Sequence, residues 1–141
     1  MMAFRYVSCL LVVAVAALTL VGCSSDSDRC RVQGEVRYKG EPVDDGGIAF
    51  IPEREGDSQV RATGEIVDGH YDLDSKRGPY PGNYRVELYW NKKTGRTITS
   101  KASGATKEER KQVLPAKYNE STELKVEVKP GRNTLDFDLK P

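Results

Sequence analysis

The chain has 141 residues, which is enough for one domain with a single core after an unusual N-terminal segment is set aside. It carries 22 Lys and Arg against 21 Asp and Glu, a formal net charge of +1 at neutral pH. A near-neutral domain lacks the basic excess of a dedicated nucleic-acid binder, which argues against that class of partner. The three cysteines form neither a disulfide framework nor a CxxC metal pair.

The first 22 residues have the pattern of a secretory signal. Arg5 is followed by an almost unbroken apolar run over residues 7–21. The run has the length of a signal h-region and is shorter than the roughly 20 apolar residues that cross a bilayer. It ends at Gly22, and a polar segment begins at residue 24. The alternative is an uncleaved N-terminal anchor, and either form predicts an exported domain.

Leu20-Val21-Gly22-Cys23 resembles the bacterial lipobox, in which a small residue precedes an acylated cysteine. The resemblance implies a lipoprotein with diacylglycerol on the Cys23 sulfur, cleavage after Gly22, and an acyl chain such as palmitate on the new amino terminus. Several acyl chains give stable attachment. Ser24 favours the outer membrane by resemblance to the enterobacterial sorting rule, but the cell membrane stays open. We therefore expect a signal peptide at residues 1–22 and a flexible tether at residues 23–30.

Period-two alternation of apolar and polar residues is frequent over residues 31–141 and predicts half-buried strands. The clearest case is Tyr84, Val86 and Leu88 with polar neighbours between them. Asp68-Gly69 is a dipeptide preferred in tight hairpin turns. The predicted strands cover residues 32–38, 47–52, 60–67, 70–74, 83–90, 123–128 and 134–139. With no strong helix between them, they predict one all-β sandwich or barrel.

Three stretches in order resemble motifs of the carboxypeptidase regulatory-like domains: the opening, a hairpin and the start of a later strand. The first comprises residues 32–36, 40–43 and 48–52 (VQGEV, GEPV, IAFIP). The second is residues 62–73 (ATGEIVDGHYDL), and the third is residues 81–86 (PGNYRV). The resemblance implies an antiparallel Greek-key sandwich of about seven strands, of the transthyretin (prealbumin) type.

Cys30 and Tyr84 are expected to have structural roles in the fold. Cys30 has no partner once Cys9 leaves with the signal peptide and Cys23 is lipidated, so we interpret it as a small residue at the edge of the domain. A disulfide between two molecules is the alternative. Tyr84 follows a turn and faces inward, where its ring would be buried and its hydroxyl would fix the turn.

We predict no catalytic residues, no resident metal and no cofactor. His70 is the single histidine, and nothing near it resembles a nucleophile elbow. Acidic residues spaced two apart on the predicted strands are most simply solvent-facing. Asp44 and Asp45 could supply oxygen ligands to Ca²⁺, but no EF-hand or repeat spacing supports this, and we interpret them as polar turn formers.

The stretch from residue 91 to residue 111 has few apolar residues and is predicted to be a long connection. Structureless connections of this length are uncommon in compact domains and are usually functional or disordered. Residues 106–112 could form one or two helical turns, because Thr106 and Glu109 have the spacing of a capping box.

Charge makes this connection the candidate binding site. Residues 92–111 contain seven basic and two acidic side chains, and Trp90 and Tyr89 stand at the start of the stretch. Such a loop could bind anionic envelope polymers or phospholipid headgroups. The alternatives are a solvated insertion with no ligand, and aromatic rings that pack on the core or protect a strand edge. The candidate residues are Trp90, Lys92, Lys93, Arg96, Lys101, Lys107, Arg110 and Lys111.

The sequence thus predicts a non-catalytic envelope protein, anchored by lipid and facing the periplasm or the exterior. Its sandwich would be a binding or structural module, with an anionic polymer or an envelope protein as partner. The first alternative is an accessory subunit of a larger assembly that pairs through a strand edge. The second is a carbohydrate- or Ca²⁺-binding domain.

Overall fold

A computed structural model describes residues 28–54 and 60–141. The predicted signal peptide and the lipidation of Cys23 lie outside the described residues and stay predictions. Within the described part, no helix has the length and apolar character needed to span a membrane.

The described chain is built almost wholly of strands. The predicted strands are all present, but the one at residue 83 is far longer than expected and the last is divided in two. One short 3₁₀ turn spans Ala116–Tyr118. The strands are β1 Arg31–Tyr38, β2 Glu41–Pro42, β3 Gly46–Pro52, β4 Ala62–Ile66, β5 His70–Leu73, β6 Gly82–Thr99, β7 Thr106–Gln112, β8 Lys125–Val128, β9 Arg132–Thr134 and β10 Phe137–Leu139.

The strands form two sheets, which confirms the predicted all-β sandwich. In the first sheet β1 is central, with β5 and β2 antiparallel to it. In the second sheet the order is β4-β3-β6, with β8 beside the first half of β6 and β7 beside its second half. The β4–β5 hairpin joins the two sheets through the predicted turn, where Asp68 and Gly69 have φ values of 50° and 81°.

The C-terminal strands depart from the antiparallel prediction, because β9 and β10 run parallel to β1. Their direction follows from the point at which the chain crosses from the second sheet to the first. β8 ends at Val128, which pairs with Gly82, and the turn that follows delivers Gly131 to Arg31, whose N–H donates to the Gly131 carbonyl at 3.1 Å. The last strand therefore starts at the same end of the sandwich as β1 and follows its direction.

The core lies between the inner faces of the two sheets. Phe50 of the second sheet packs against Tyr84 at 6.3 Å between ring centroids and against Tyr71 of the first sheet at 6.2 Å. The alternation that predicted the strands explains this burial, since every second residue faces inward. The largest fully buried side chains are Trp90, Tyr84, Phe50, Ile48, Ile66, Leu73, Leu88, Leu139, Val32, Val36, Val43 and Val86.

Cys30 and Tyr84 are both more deeply buried than their positions next to loops suggest. Cys30 precedes β1 directly and is 1% exposed, and its burial raises the pKa of the thiol. A disulfide to a second molecule would require an exposure that this thiol lacks. The Tyr84 ring is buried as predicted. Its hydroxyl makes no close hydrogen bond with a described residue. Burial raises the pKa of this hydroxyl, and the backbone N–H of Tyr80 in the preceding turn opposes that rise, so the anchoring of the turn stays a prediction.

Candidate functional site: a basic β-arm

The charged stretch predicted to be a structureless connection is a β-hairpin, and that prediction was wrong. β6 continues from Trp90 to Thr99 and pairs with β7, with Asn91 opposite Gln112 and Thr99 opposite Thr106. The helical turns considered for residues 106–112 are likewise absent, because that segment is β7. We call residues 91–112 the arm.

The arm extends past the end of the sandwich. The pairing of β6 with β3 stops at Trp90 and Gly46, and beyond this point β7 is the one strand beside β6 within the described residues. Arm residues are exposed except for Lys92, Glu109 and Gln112, which are half-buried. An isolated two-stranded hairpin is marginally stable in water, so contacts at its base must hold it in place.

Lys92 supplies one of these contacts. Its Nζ lies 3.9 Å from the centroid of the Trp90 ring and 2.7 Å from a carboxylate oxygen of Glu41 in the other sheet. A cation over an indole face is attracted by the ring quadrupole, and the contact strengthens where water is excluded. The arm is thereby held to both sheets at its base.

Arg110 and Gln112 hold the other strand of the arm. The Arg110 guanidinium forms an ion pair with Asp45, in the turn before β3. The side-chain oxygen of Gln112 accepts from the backbone N–H of Trp90 at 2.9 Å and from that of Leu114 at 3.1 Å. Nothing in the sequence linked Glu41 and Asp45 to the arm, because they lie 51 and 65 residues away from their partners.

A bulge interrupts the middle of the arm. Lys93 is opposite Arg110, whereas Thr97 is opposite Glu108, so β6 carries two extra residues between these pairs. Gly95 accommodates the bulge with a φ of 75°, a value that favours glycine. The Thr94 hydroxyl donates to the Glu109 carboxylate at 2.6 Å and ties the bulge to β7.

The seven predicted cations divide into two groups. Lys92, Lys93 and Arg110 have acidic partners, the Lys93 Nζ lying 2.9 Å from Glu108. The other four form no ion pair with any described residue, and both glutamates of the arm already have partners. We call these four the unpaired cations: Arg96 in the bulge, Lys101 in the turn at the tip, and Lys107 and Lys111 on β7.

Trp90 belongs to the core and not to an exposed binding surface. It is 2% exposed, and its ring meets that of Tyr38 edge-on at 6.5 Å between centroids. The alternative that the aromatic residues pack on the core is therefore confirmed for Trp90. Tyr89 is half-buried on the other face of β6, where its hydroxyl donates to Glu87 at 2.9 Å.

The other candidate residues are engaged in structural contacts. Asp45 pairs with Arg110, and no group of three or more potential metal ligands occurs in the described residues. Asp72 binds Arg31, and this hydrogen bond lowers the pKa of the Asp72 carboxyl. Asp136 accepts from the Glu35 backbone N–H at 2.8 Å. His70 is exposed, with Nδ1 3.9 Å from Glu35, beside a shallow depression on the first sheet.

Charge is separated between the arm and the rest of the domain. Residues 92–111 carry seven basic and two acidic side chains, a net of +5. The remainder of the chain from residue 23 onward carries 14 basic and 19 acidic side chains, a net of −5. The near-neutral total is therefore the sum of a positive arm and an acidic remainder. We call this remainder, the chain from residue 23 onward without residues 91–112, the body.

No family model matches the sequence, and no curated protein matches it. A crystal structure of a DUF3823 family protein from Parabacteroides merdae ATCC 43184 is similar to 82% of this chain, with 12% sequence identity and a TM-score of 0.42. This chain spans 47% of that protein. A likeness of this degree carries no argument about function.

Proposed function

We propose that this protein is a non-catalytic, lipid-anchored envelope lipoprotein whose arm binds an anionic component of the envelope. The observation that carries the proposal is the set of four unpaired cations on an exposed arm. Two further cations, Lys92 and Arg110, hold that arm to the sandwich, and Lys93 pairs with Glu108 within the arm.

The construction of the arm favours binding over simple solvation. A flexible basic loop would lose conformational freedom on binding, and that loss would offset part of the attraction. Here Lys92, Arg110 and Gln112 order the arm beforehand. The unpaired cations can then meet an anion without rearrangement of the backbone. Exposed charges attract their partners with a strength that falls as salt rises.

A matched pair of variants tests the binding. In the first, Arg96, Lys101, Lys107 and Lys111 are replaced by Gln. In the control, four exposed cations of the body that form no ion pair with the described residues are replaced instead: Lys76, Arg85, Lys129 and Arg132. Retention on immobilised polygalacturonate, a carboxylate polymer, should be lost in the arm variant, kept in the control and abolished by high salt. Equal retention by the two variants would overturn the proposal.

The lipid anchor is supported by the apolar run at residues 7–21 and by the lipobox-like residues that end in Cys23. Its test is metabolic labelling with an alkyne analogue of palmitate in a bacterial host. The full chain should be labelled and membrane-bound. Cys23→Ser should lose the label, and a chain that begins at Ser24 should appear in the soluble fraction. Labelling that survives this substitution would contradict the anchor.

Strand-edge pairing with an envelope protein is the second candidate function. The observation that favours it is the edge of β6 beyond Trp90, which has no strand beside it on the β3 side within the described residues. Charged residues, lysine above all, are the usual protection of such edges against pairing, and the arm is rich in them. The two functions differ in salt response, since backbone pairing would persist in high salt.

A further inference from the structure

The arm points away from the end of the domain where the N-terminal segment enters. At that end, the Cys30 N–H donates to the Pro79 carbonyl at 2.8 Å, shortly before β6 begins. At the opposite end, the Tyr38 and Trp90 rings meet at 6.5 Å. β1 and β6 therefore run in the same direction in their two sheets, and the arm continues that direction beyond Trp90.

We infer that the arm presents its unpaired cations to an anionic polysaccharide on the side of the domain away from the anchoring membrane, and not to the headgroups of the anchoring leaflet. This inference rests on the proposed function, because it takes both the anchor at Cys23 and anion binding by the arm as given.

Length supports this orientation. At about 3.3 Å per residue, β1 spans roughly 25 Å and the arm adds about the same again, so the tip lies about 50 Å from Arg31. The eight residues 23–30 can extend at most about 28 Å. They are too short to let the domain invert and place the arm tip on the membrane that holds the anchor.

The arm could still reach that membrane if the domain lay on its side. Charge opposes this arrangement. The body carries a net charge of −5. A leaflet that contains anionic lipids has a negative surface potential, which repels an acidic body within about a Debye length. An upright domain keeps this body away from the lipids and holds the basic arm at the greatest distance from them.

The spacing of the unpaired cations indicates a polymer. Lys107 and Lys111 lie on one face of β7, about 13 Å apart at the usual rise of a strand. Arg96 lies in the bulge and Lys101 in the turn at the tip. Because these charges are spread along the arm and do not converge on a pocket, they suit repeated carboxylates on a chain better than one small anion.

Fluorescence energy transfer to a headgroup-labelled lipid tests the orientation. The acylated full-length protein is reconstituted in vesicles of phosphatidylcholine and phosphatidylglycerol, with a donor on Ser103→Cys at the tip or on Ser75→Cys. Ser75 is exposed and follows β5, whose Leu73 pairs with Val32 near the start of β1. Buried Cys30 should not take the label. We expect clearly stronger transfer from position 75; equal or stronger transfer from position 103 would overturn the orientation.

Polymer capture separates this inference from the proposed function. Vesicles bearing the acylated protein should retain fluorescent polygalacturonate, and the arm variant lacking four cations should retain roughly 600-fold less, since each cation near an anionic surface contributes about fivefold. If unanchored protein that begins at Ser24 binds the polymer but anchored protein does not, the orientation is wrong and the proposed function stands. If the unanchored protein also fails to bind, the proposed function itself is wrong.

Discussion

The body and the arm are both β-structure, yet different interactions hold them. In the body, strands are buried on one face against a core that includes Phe50, Tyr84 and Trp90. In the arm, both faces meet water, and the contacts that fix it are ion pairs, a cation over a ring and side-chain hydrogen bonds at its base. The body is therefore specified by apolar periodicity, and the arm by a few polar contacts across long sequence separations. Changes in the two regions should have very different consequences.

The largest effect on stability is expected from Trp90→Ala, because Trp90 is the largest buried side chain and lies where body and arm meet. Truncation of a buried tryptophan costs about 3–5 kcal/mol. Chemical denaturation should show this loss, with Trp90→Phe losing less. A loss below about 1 kcal/mol, typical of surface positions, would show that Trp90 is not part of the core.

Cys30 should give the body a dependence on alkaline pH. Burial raises the pKa of its thiol above the ordinary value of 9.0. The folded state then keeps a proton that the unfolded state releases, so its contribution is full below pH 9 and is lost as the pH rises toward the folded-state pKa. Melting temperature should fall more steeply above pH 9 in the native chain than in Cys30→Ala. Parallel pH profiles of the two proteins would contradict this expectation.

Removal of the arm should leave the body folded. Asn91 and Gln112 are paired, so a two-residue Asn-Gly turn can join them in place of residues 92–111. The ion pairs lost with Lys92 and Arg110 are exposed ones, worth about 0–1 kcal/mol each. We expect a melting temperature within a few degrees of the native value, together with complete loss of polygalacturonate binding. Unfolding of this variant would show that the arm is structurally part of the body.

The smallest effect is expected at Arg31 and Asp72, an exposed pair on the first sheet. The hydrogen bond from Arg31 lowers the pKa of Asp72 below its ordinary value of 3.8. The stability it contributes is present above pH 3.8 and is lost as the pH falls through the lowered pKa. Arg31→Gln should therefore lower the melting temperature slightly at pH 7 and not at all at the lowest pH. An equal decrease at both pH values would contradict the assignment.

The sequence predicted the strands of the body well, because burial of one face of each strand produces a regular alternation of apolar and polar residues. The alternation through Tyr84, Val86 and Leu88 and the Asp68-Gly69 turn placed strands where the structure has them. Alternation could not predict that β9 and β10 run parallel to β1, because it shows which face of a strand is buried but not which strand lies alongside. It depends on where the turn before Arg132 crosses to the first sheet.

The arm could be recognised by its charge but not by its conformation. With both faces exposed, it needs no apolar alternation, and its lysines made it resemble a loop. The signals present were the β-branched residues Thr97, Ile98 and Thr99 and a glycine in the turn that follows. The sequence could not predict which cations of the arm form ion pairs, because the partners of Lys92 and Arg110 are Glu41 and Asp45 in a distant part of the chain.

The central position of β1 in the first sheet determines how early during synthesis the protein can fold. One neighbour of this first strand is the final segment of the chain, and the bond from the Glu35 N–H to Asp136 spans 101 residues. Contacts of such sequence separation slow folding, because a long loop must close before they can form. The first sheet can be completed only after synthesis has reached the last strand. A chain with this connectivity should stay unfolded until late, which is the state in which polypeptides are threaded through an export channel.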